Sequence, residues 1–168
     1  MAETADPFWS FSLGFYAGPG VSPACIALQD RHRCDVNLVL YACWVGLSGR
    51  GRLAEADLAR AEAVNAPWRG GVIERLRAAR RALKTEAQGG AELELYEAVK
   101  AAELAAERIA QQRLQRLAPA EPFRAAGERA GDAGANLALY LGDRNAEETA
   151  APIFAAIRAA PGDDRAHR

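Results

Sequence analysis

One polar run in this chain carries the side chains needed for acid–base chemistry, and it occupies residues 29–37. Its members with that potential are Gln29, Asp30, Asp35 and Asn37. An aspartate in a cleft can act as a general base while neighbouring amides orient a substrate. The same residue types are common at helix starts, where they accept hydrogen bonds from backbone N–H groups. The run therefore predicts either a ligand-binding pocket or a network of helix caps.

A histidine and three cysteines in the same region form a poor metal-binding pattern. Cys25, His32, Cys34 and Cys43 lack the closely spaced cysteine pair of most structural zinc sites. A catalytic Cys–His pair is indicated no better. We expect no metal and no cofactor, with Cys25 and Cys43 as small core residues and His32 on the surface.

Aromatic residues are concentrated in this first quarter of the chain. Seven of the twelve fall within residues 8–44, so the specificity of the fold is expected there. Trp9, Tyr16, Tyr41 and Trp44 are candidates to line a pocket for a flat ligand or a groove for a partner helix. Large aromatic side chains also dominate protein cores, which is the alternative role for this cluster.

Three predicted helices position these side chains. Start signals at Asp6 and Asp35, together with a Ser-Pro pair, predict helices over residues 7–17, 23–33 and 36–47. The third helix is apolar almost all round, which is typical of a central, buried helix. We expect the three helices to pack through their rings and thiols into a hydrophobic hub.

Most of the remaining chain consists of Ala, Leu, Arg and Glu in helical patterns. Residues 53–64 predict a short helix, and residues 65–67, which include a proline, predict a break. Two longer helices follow over residues 68–87 and 91–117, joined by a Gly-Gly turn. The short connection predicts an antiparallel helical hairpin.

Opposite charges distinguish the two arms of this hairpin. Residues 69–86 hold six basic and two acidic residues, a net of +4, whereas residues 87–107 hold five acidic and one basic residue, a net of −4. Because an exposed ion pair adds only about 0.2–1 kcal/mol, these charges are expected to set the pairing of the helices more than their stability.

The C-terminal part predicts short helices over residues 123–130 and 134–142 and an amphipathic segment over 146–160. Residues 1–5 and 161–168 are expected to be disordered. No stretch has the period-two alternation of a β-strand. The fold class predicted is all-α, a single-domain helical bundle with an aromatic N-terminal three-helix hub and a long antiparallel hairpin.

Overall composition excludes several classes of protein. The net charge of −1 provides no global field to hold nucleic acid or an anionic membrane. An odd number of cysteines argues against a disulfide framework, and no signal peptide is recognised. The longest apolar run, residues 38–47, is about half the length of a membrane-spanning helix. We therefore expect a cytoplasmic protein that does not enter the membrane.

The opening segment resembles a known family. Its pattern is FWxFSLxxY at residues 8–16, PGV at 19–21, LQD at 28–30 and DVNL at 35–38. This pattern is similar to the signature of a family of uncharacterised bacterial proteins, classified as a domain of unknown function. The resemblance implies a bacterial, cytoplasmic, all-helical protein with its most distinctive positions in the first three helices, and it assigns no functional residues.

Three functional hypotheses follow. The leading one is a non-catalytic helical protein that binds another protein or itself, for example through the 91–117 helix, because no catalytic constellation is recognisable. The rival is an enzyme or small-ligand-binding protein that uses the polar run and the aromatic side chains. A weaker alternative is RNA binding by the basic residues 69–84, since the acidic neighbouring helix would cancel their field.

Overall fold

The computed structural model describes residues 6–120 and 126–160, apart from the side chains of residues 126 and 127. These residues form helices and contain no strand, which confirms the all-α prediction. A π-helical turn, Arg69–Ile73, joins two of the helices. The predicted disorder at both ends and the predicted helix around Phe123 fall outside the described residues. The α-helices are α1 (Pro7–Tyr16), α2 (Val21–His32), α3 (Val36–Leu47), α4 (Glu55–Trp68), α5 (Glu74–Leu83), α6 (Gly90–Gln115), α7 (Ala126–Leu141) and α8 (Glu147–Ala159).

Helix α3 is the centre of the molecule, as its sequence predicted. Its residues from Asn37 to Gly46 are all buried, and the Asp35 side chain caps it by accepting a hydrogen bond from the Asn37 backbone N–H at 2.9 Å. Helix α7 crosses it at very close range. A Cβ atom added at Gly46 would lie 2.2 Å from the backbone nitrogen of Ala133, so only glycine fits at this crossing.

The predicted aromatic hub is present where α1 meets α3. The ring of Phe8 stacks on Trp44 with centroids 4.9 Å apart and meets Tyr41 edge-on at 5.9 Å. The guanidinium of Arg50 lies 4.9 Å from the Trp44 centroid. Such ring pairs stabilise by roughly 0.5–1.5 kcal/mol beyond the area that they bury.

The starts of α1 and α2 differ from their predicted form. Asp6 precedes α1 but makes no capping bond, because its carboxylate instead binds Arg108 and Gln112 of α6. Helix α2 begins at Val21 rather than Pro23, after Gly20 in a left-handed conformation with φ of +74°. The helix is therefore two residues longer at its start than predicted, and the side chain of its first residue, Val21, is buried in the core.

The predicted break at residues 65–67 is wrong. Helix α4 runs through Pro67 to Trp68, and the π turn then leads directly into α5. Proline removes one backbone hydrogen bond, but tertiary contacts hold the chain on both sides of it. The Asn65 amide donates to Asp35, and the Trp68 indole N–H donates to the Ala106 carbonyl oxygen at 2.9 Å.

Helices α5 and α6 form the predicted hairpin, with the arginines of α5 facing the glutamates of α6. The inward face of α6 changes along its length. Ala106 is buried, but Leu95 and Ile109 are exposed, and Ala110 and Leu114 face the core instead. Tertiary contacts bury the C-terminal half of α6, while its N-terminal half projects from the bundle beside α5.

The C-terminal region forms two helices that complete the core. A single helix, α7, runs through residues 131–133, where the sequence predicted a gap between two helices. Its Asn136 is fully buried and its side chain donates to the Ala42 and Gly51 carbonyl oxygens while accepting from the Leu53 N–H. These three bonds attach α3 and the loop after it to α7.

The membrane test gives a simple result for the described residues. No single helix there combines the length and apolar composition of a membrane span. Helices α1 and α2 meet that standard only when taken together across a bend of 99°.

Candidate functional site

Asp35 lies at the centre of a buried polar cluster between the hub and the hairpin. One carboxylate oxygen caps α3, and the other accepts from the Asn65 amide at 2.6 Å and from the Arg69 guanidinium at 3.2 Å. Its backbone N–H donates to the Tyr140 hydroxyl at 2.8 Å. Asp35 is therefore both a cap and a bridge between helices that are distant in sequence.

Asn37 continues the cluster toward α6. Its amide nitrogen donates to Glu107, and its amide oxygen accepts from the Gln111 amide at 3.0 Å. Both of its side-chain polar groups are thus used in the buried interior. The first turn of α3 is attached in this way to two successive turns of α6.

Arg77 connects α5 to both α6 and α2. Its guanidinium donates to Glu107 at 2.8 Å, to Glu103 at 3.3 Å and to the Gln29 amide oxygen at 2.8 Å. Arg80 also donates to Glu103, at 2.5 Å. Arg77 and Arg80 are therefore both paired with glutamates of α6.

The π turn aligns α4 and α5 with this cluster. A π turn widens the helix by one residue and is frequent at functional sites. Here it follows Trp68, whose ring is bonded to α6, and it contains both Arg69 and Ile73. The turn lets Arg69 reach Asp35 while Arg77 faces the glutamates of α6.

A polar cavity of about 280 Å³ opens at this cluster. Its charged lining balances, because three arginines face three carboxylates. Guanidinium groups bind carboxylates and phosphates in a bidentate manner, and carboxylates bind ammonium groups. The cavity thus suits a small zwitterion. Its lining residues are Gln29, Arg33, Cys34, Asp35, Val36, Asn37, Arg69, Ile73, Glu74, Arg77 and Glu107.

Glu103 and Glu107 of α6 have pKa values that are shifted in opposite directions. Burial raises the pKa of Glu107 above its ordinary value of 4.5, against the opposing effects of Asn37 and Arg77. Burial also acts to raise the pKa of Glu103, but hydrogen bonds and charge from Arg80 and Arg77 outweigh it and lower that pKa. Glu107 is consequently the carboxyl of this pair that gains a proton more readily.

A larger groove of about 520 Å³ adjoins the polar cavity and shares part of its lining. One wall is apolar and comes from α1 and α2, including Trp9, Tyr16 and the exposed Leu13 and Ile26. The opposite wall comes from α5 and α6 and is mainly basic along α5. Its basic side chains are Arg77, Arg80, Arg81 and Lys84.

Two residues that line this groove each have one buried side-chain oxygen without a partner in the described part of the chain. The Ser12 hydroxyl oxygen and the Gln111 amide oxygen make no hydrogen bond within residues 6–120 and 126–160. Both residues are almost fully buried. Because an unsatisfied buried polar group is costly, such groups are usually paired with a ligand or with water.

The predicted site residues separate into four groups. Gln29, Asp35 and Asn37 come together in the polar cavity, and Trp9 and Tyr16 line the groove. Asp30 is exposed on the surface, where its carboxylate accepts from Gln29 and lies 3.9 Å from Arg81. Tyr41 and Trp44 are buried in the core, where burial raises the pKa of Tyr41 to about 12.

The cysteines and the histidine have structural surroundings. Cys25, Cys34 and Cys43 are buried and free, and burial raises the pKa of the Cys25 thiol to about 12. His32 is half-buried rather than exposed as expected. Its ring nitrogens lie 3.2 Å from the Arg144 carbonyl oxygen and 3.0 Å from the Thr149 hydroxyl, so it connects α2 to α8.

Sequence reasoning missed several residues of this site. Asn65, Arg69, Arg77 and Glu107 complete the cluster, yet they lie 30 or more residues from Asp35 or from its neighbours in the chain. The sequence feature that pointed to the charged residues among them was the opposite net charge of the two hairpin arms. That signal predicts pairing between helices but not which pair reaches the polar run.

Comparison with known proteins gives one family match. Searches against curated proteins and against solved structures find no match. The matching family model covers residues 7–114, which include α1 to α5, nearly all of α6 and every residue that lines the cavity and the groove. The chain therefore belongs to the family described as protein of unknown function (DUF2390).

Proposed function

We propose that this protein is a non-catalytic binding protein that holds a helical segment of a partner protein in the groove between α1–α2 and α5–α6. The observation that carries the proposal is the exposed apolar lining of that groove. Leu13, Ile26 and Leu104 are about half exposed or more and converge on it from three helices. Large apolar side chains grouped in this way are typical of interaction sites.

The shape and chemistry of the groove favour a helix as the occupant. An amphipathic helix binds by placing its apolar face in a groove of this kind. Trp9 and Tyr16 offer flat apolar surface, while Arg81 and Lys84 supply charge at the rim.

We further propose a cytoplasmic, bacterial setting for this activity. Three free cysteines persist without pairing in a reducing compartment. The resemblance of residues 8–38 to bacterial proteins supports the same assignment.

Site-specific photo-crosslinking tests the proposal. A photoreactive phenylalanine analogue placed at Ile26 is expected to capture a partner in cells of the source organism, whereas the same analogue at Val64 of α4 is the control. Val64 is apolar and partly exposed but does not line the groove. The captured band should disappear when Leu13→Asp is added. Equal capture from both positions, or capture unaffected by Leu13→Asp, would contradict the proposal.

A second candidate function is the binding of a small zwitterion in the polar cavity. The π turn and the balanced guanidinium and carboxylate lining favour it. Thermal denaturation with a panel of free amino acids tests this function. Saturable stabilisation that Arg69→Lys abolishes supports it, because lysine cannot reproduce bidentate pairing. No stabilisation by any member of the panel at millimolar concentration counts against it.

A further inference from the structure

We infer that two copies of this chain associate through the exposed flank of α6, with the two α6 helices antiparallel. Four residues define the flank: Leu93, Glu97, Lys100 and Leu104, which we call the α6 stripe. Their spacings of four, three and four place them on one side of a helix, within about 60° of rotation. The stripe is about 16 Å long at 1.5 Å per residue.

The stripe lies beside the part of α6 that packs on its own chain. Glu103 and Glu107 bind the arginines of α5, and the stripe runs next to these ion pairs along the open side of the hairpin. Leu93 is 41% exposed and Leu104 is 56% exposed. The side chains of Glu97 and Lys100 are each 56% exposed. A helix flank with two leucines in solvent is an unpartnered surface.

The order of residues in the stripe makes it complementary to itself. A two-fold axis between residues 98 and 99 places Leu93 opposite Leu104 of the second copy and Glu97 opposite Lys100 of the second copy. Each apolar residue then meets an apolar one, and each charge meets its opposite. A parallel arrangement would place Glu97 against Glu97 and Lys100 against Lys100. Self-complementarity under a two-fold axis is the requirement for a symmetric dimer.

The surface next to the stripe allows a second helix to approach. A shallow groove of about 410 Å³ runs beside it. Its lining consists of three residues of the stripe (Glu97, Lys100 and Leu104) together with Arg80, Ala101, Glu103 and Glu107. The small Ala101 side chain lets helix axes come close. Within one chain the Lys100 ammonium lies 3.4 Å from Glu97, so pairing of two copies creates a ring of four alternating charges.

This pairing is separate from partner binding in the larger groove. The two surfaces meet at Leu104, so the second copy would extend the wall formed by α6. Dimerisation does not require a partner segment in the groove, and its tests use residues outside the α1–α2 wall. A failure of one proposal therefore leaves the other open to its own experiment.

Charge reversal tests the pairing in solution. In sedimentation velocity, the wild-type chain is expected to show a mass that rises toward a dimer with concentration. Glu97→Lys and Lys100→Glu should each weaken dimerisation at least tenfold, because each creates like-charge pairs across the axis. An equimolar mixture of the two variants should recover dimerisation. A monomer at all concentrations up to the millimolar range, or a mixture no tighter than either variant alone, would overturn the inference.

Cysteine crosslinking tests the orientation. Leu93→Cys and Leu104→Cys, mixed under mild oxidation, should form a heterodimer at least tenfold faster than either variant forms a homodimer. Leu95→Cys, on a different flank of α6, is the control for collision. The native thiols are buried and should contribute little background. Preferential crosslinking of Leu93→Cys to itself would indicate a parallel pair and overturn the antiparallel arrangement. Circular dichroism of every variant confirms that the fold is retained.

Discussion

Helices α3 and α5 show how differently two parts of this molecule are held. Ten of the twelve residues of α3 are buried, from Asn37 to Gly46, whereas every residue of α5 keeps part of its surface in solvent. Apolar packing holds α3, and ion pairs to Glu103 and Glu107 hold α5. The comparison teaches that the two regions are held by different forces. Burial of apolar side chains holds the hub, whereas charged contacts hold a hairpin that keeps more of its surface in solvent.

Deleting a leucine side chain from each region gives the largest expected difference. Leu38 of α3 is 1% exposed, and Leu95 of α6 is 53% exposed. Leu38→Ala should lower the free energy of unfolding by about 2–5 kcal/mol, because it leaves a cavity in a packed core. Leu95→Ala should change it by less than about 0.5 kcal/mol. Urea denaturation checks both values, and similar losses for the two variants would contradict the division.

Removing the Asp35 carboxylate should have the next largest effect. Asp35→Ala loses the cap of α3 and leaves the buried Asn65 amide without its acceptor, so we expect a loss of about 2–4 kcal/mol. Asp35→Asn keeps the capping oxygen but places an NH₂ group against donors from Asn65 and Arg69, and should cost about 1–3 kcal/mol. Guanidinium denaturation measures both. A loss of only about 1 kcal/mol in Asp35→Ala would show that Asp35 contributes only as the cap of α3.

A methyl group at Gly46 tests the closest helix crossing. Gly46→Ala should destabilise by about 1–3 kcal/mol, since its Cβ would lie 2.2 Å from the Ala133 nitrogen and the helices must separate. Gly131→Ala on the same α7 is the matched control. Among the residues that the structure describes, no atom outside the local helix backbone lies within 4 Å of a Cβ at that position, so alanine should stabilise the helix by about 0.5–1 kcal/mol. Thermal unfolding of both variants checks the signs, and a neutral Gly46→Ala would contradict the crossing.

The smallest effect concerns the pH dependence of the two hairpin glutamates. Because the folded-state pKa of Glu107 is raised above 4.5, its contribution to stability is most favourable below that value and falls as the pH rises through the folded pKa. The folded-state pKa of Glu103 is lowered below 4.5, so its contribution is present above that value and is lost as the pH falls. The free energy of unfolding of Glu107→Gln and Glu103→Gln, each compared with wild type from pH 3 to pH 7, should therefore diverge in opposite directions. Parallel profiles would contradict the assignment.

Local signals made the hub predictable. Asp35 and the apolar run that follows it predicted α3 with its observed bounds, because a capping residue and a helix without a polar face act within one short segment. The placing of Cys25 and Cys43 in the core followed from the same apolar surroundings. Gln29, Asp35 and Asn37 were found for a similar reason, as polar side chains in an apolar neighbourhood.

Long-range contacts made the rest unpredictable. A proline at residue 67 normally ends a helix, and only the bonds from Asn65 and Trp68 to other helices explain why α4 continues. The opposite charges of the hairpin arms predicted that they pair, but not that Arg77 and Glu107 would reach the polar run. No local pattern carries the register between two helices that are joined by a turn.

Hydrogen exchange at two protein concentrations tests the division between hub and hairpin most directly. At low concentration, α3 amides should exchange only through global unfolding. Amides of α6 between residues 93 and 104 should exchange through a local opening that has a lower free energy. At high concentration, the α6 amides alone should gain protection as the two copies pair. Equal protection of α3 and α6 in the dilute sample, or protection of α6 that does not change with concentration, would contradict the account.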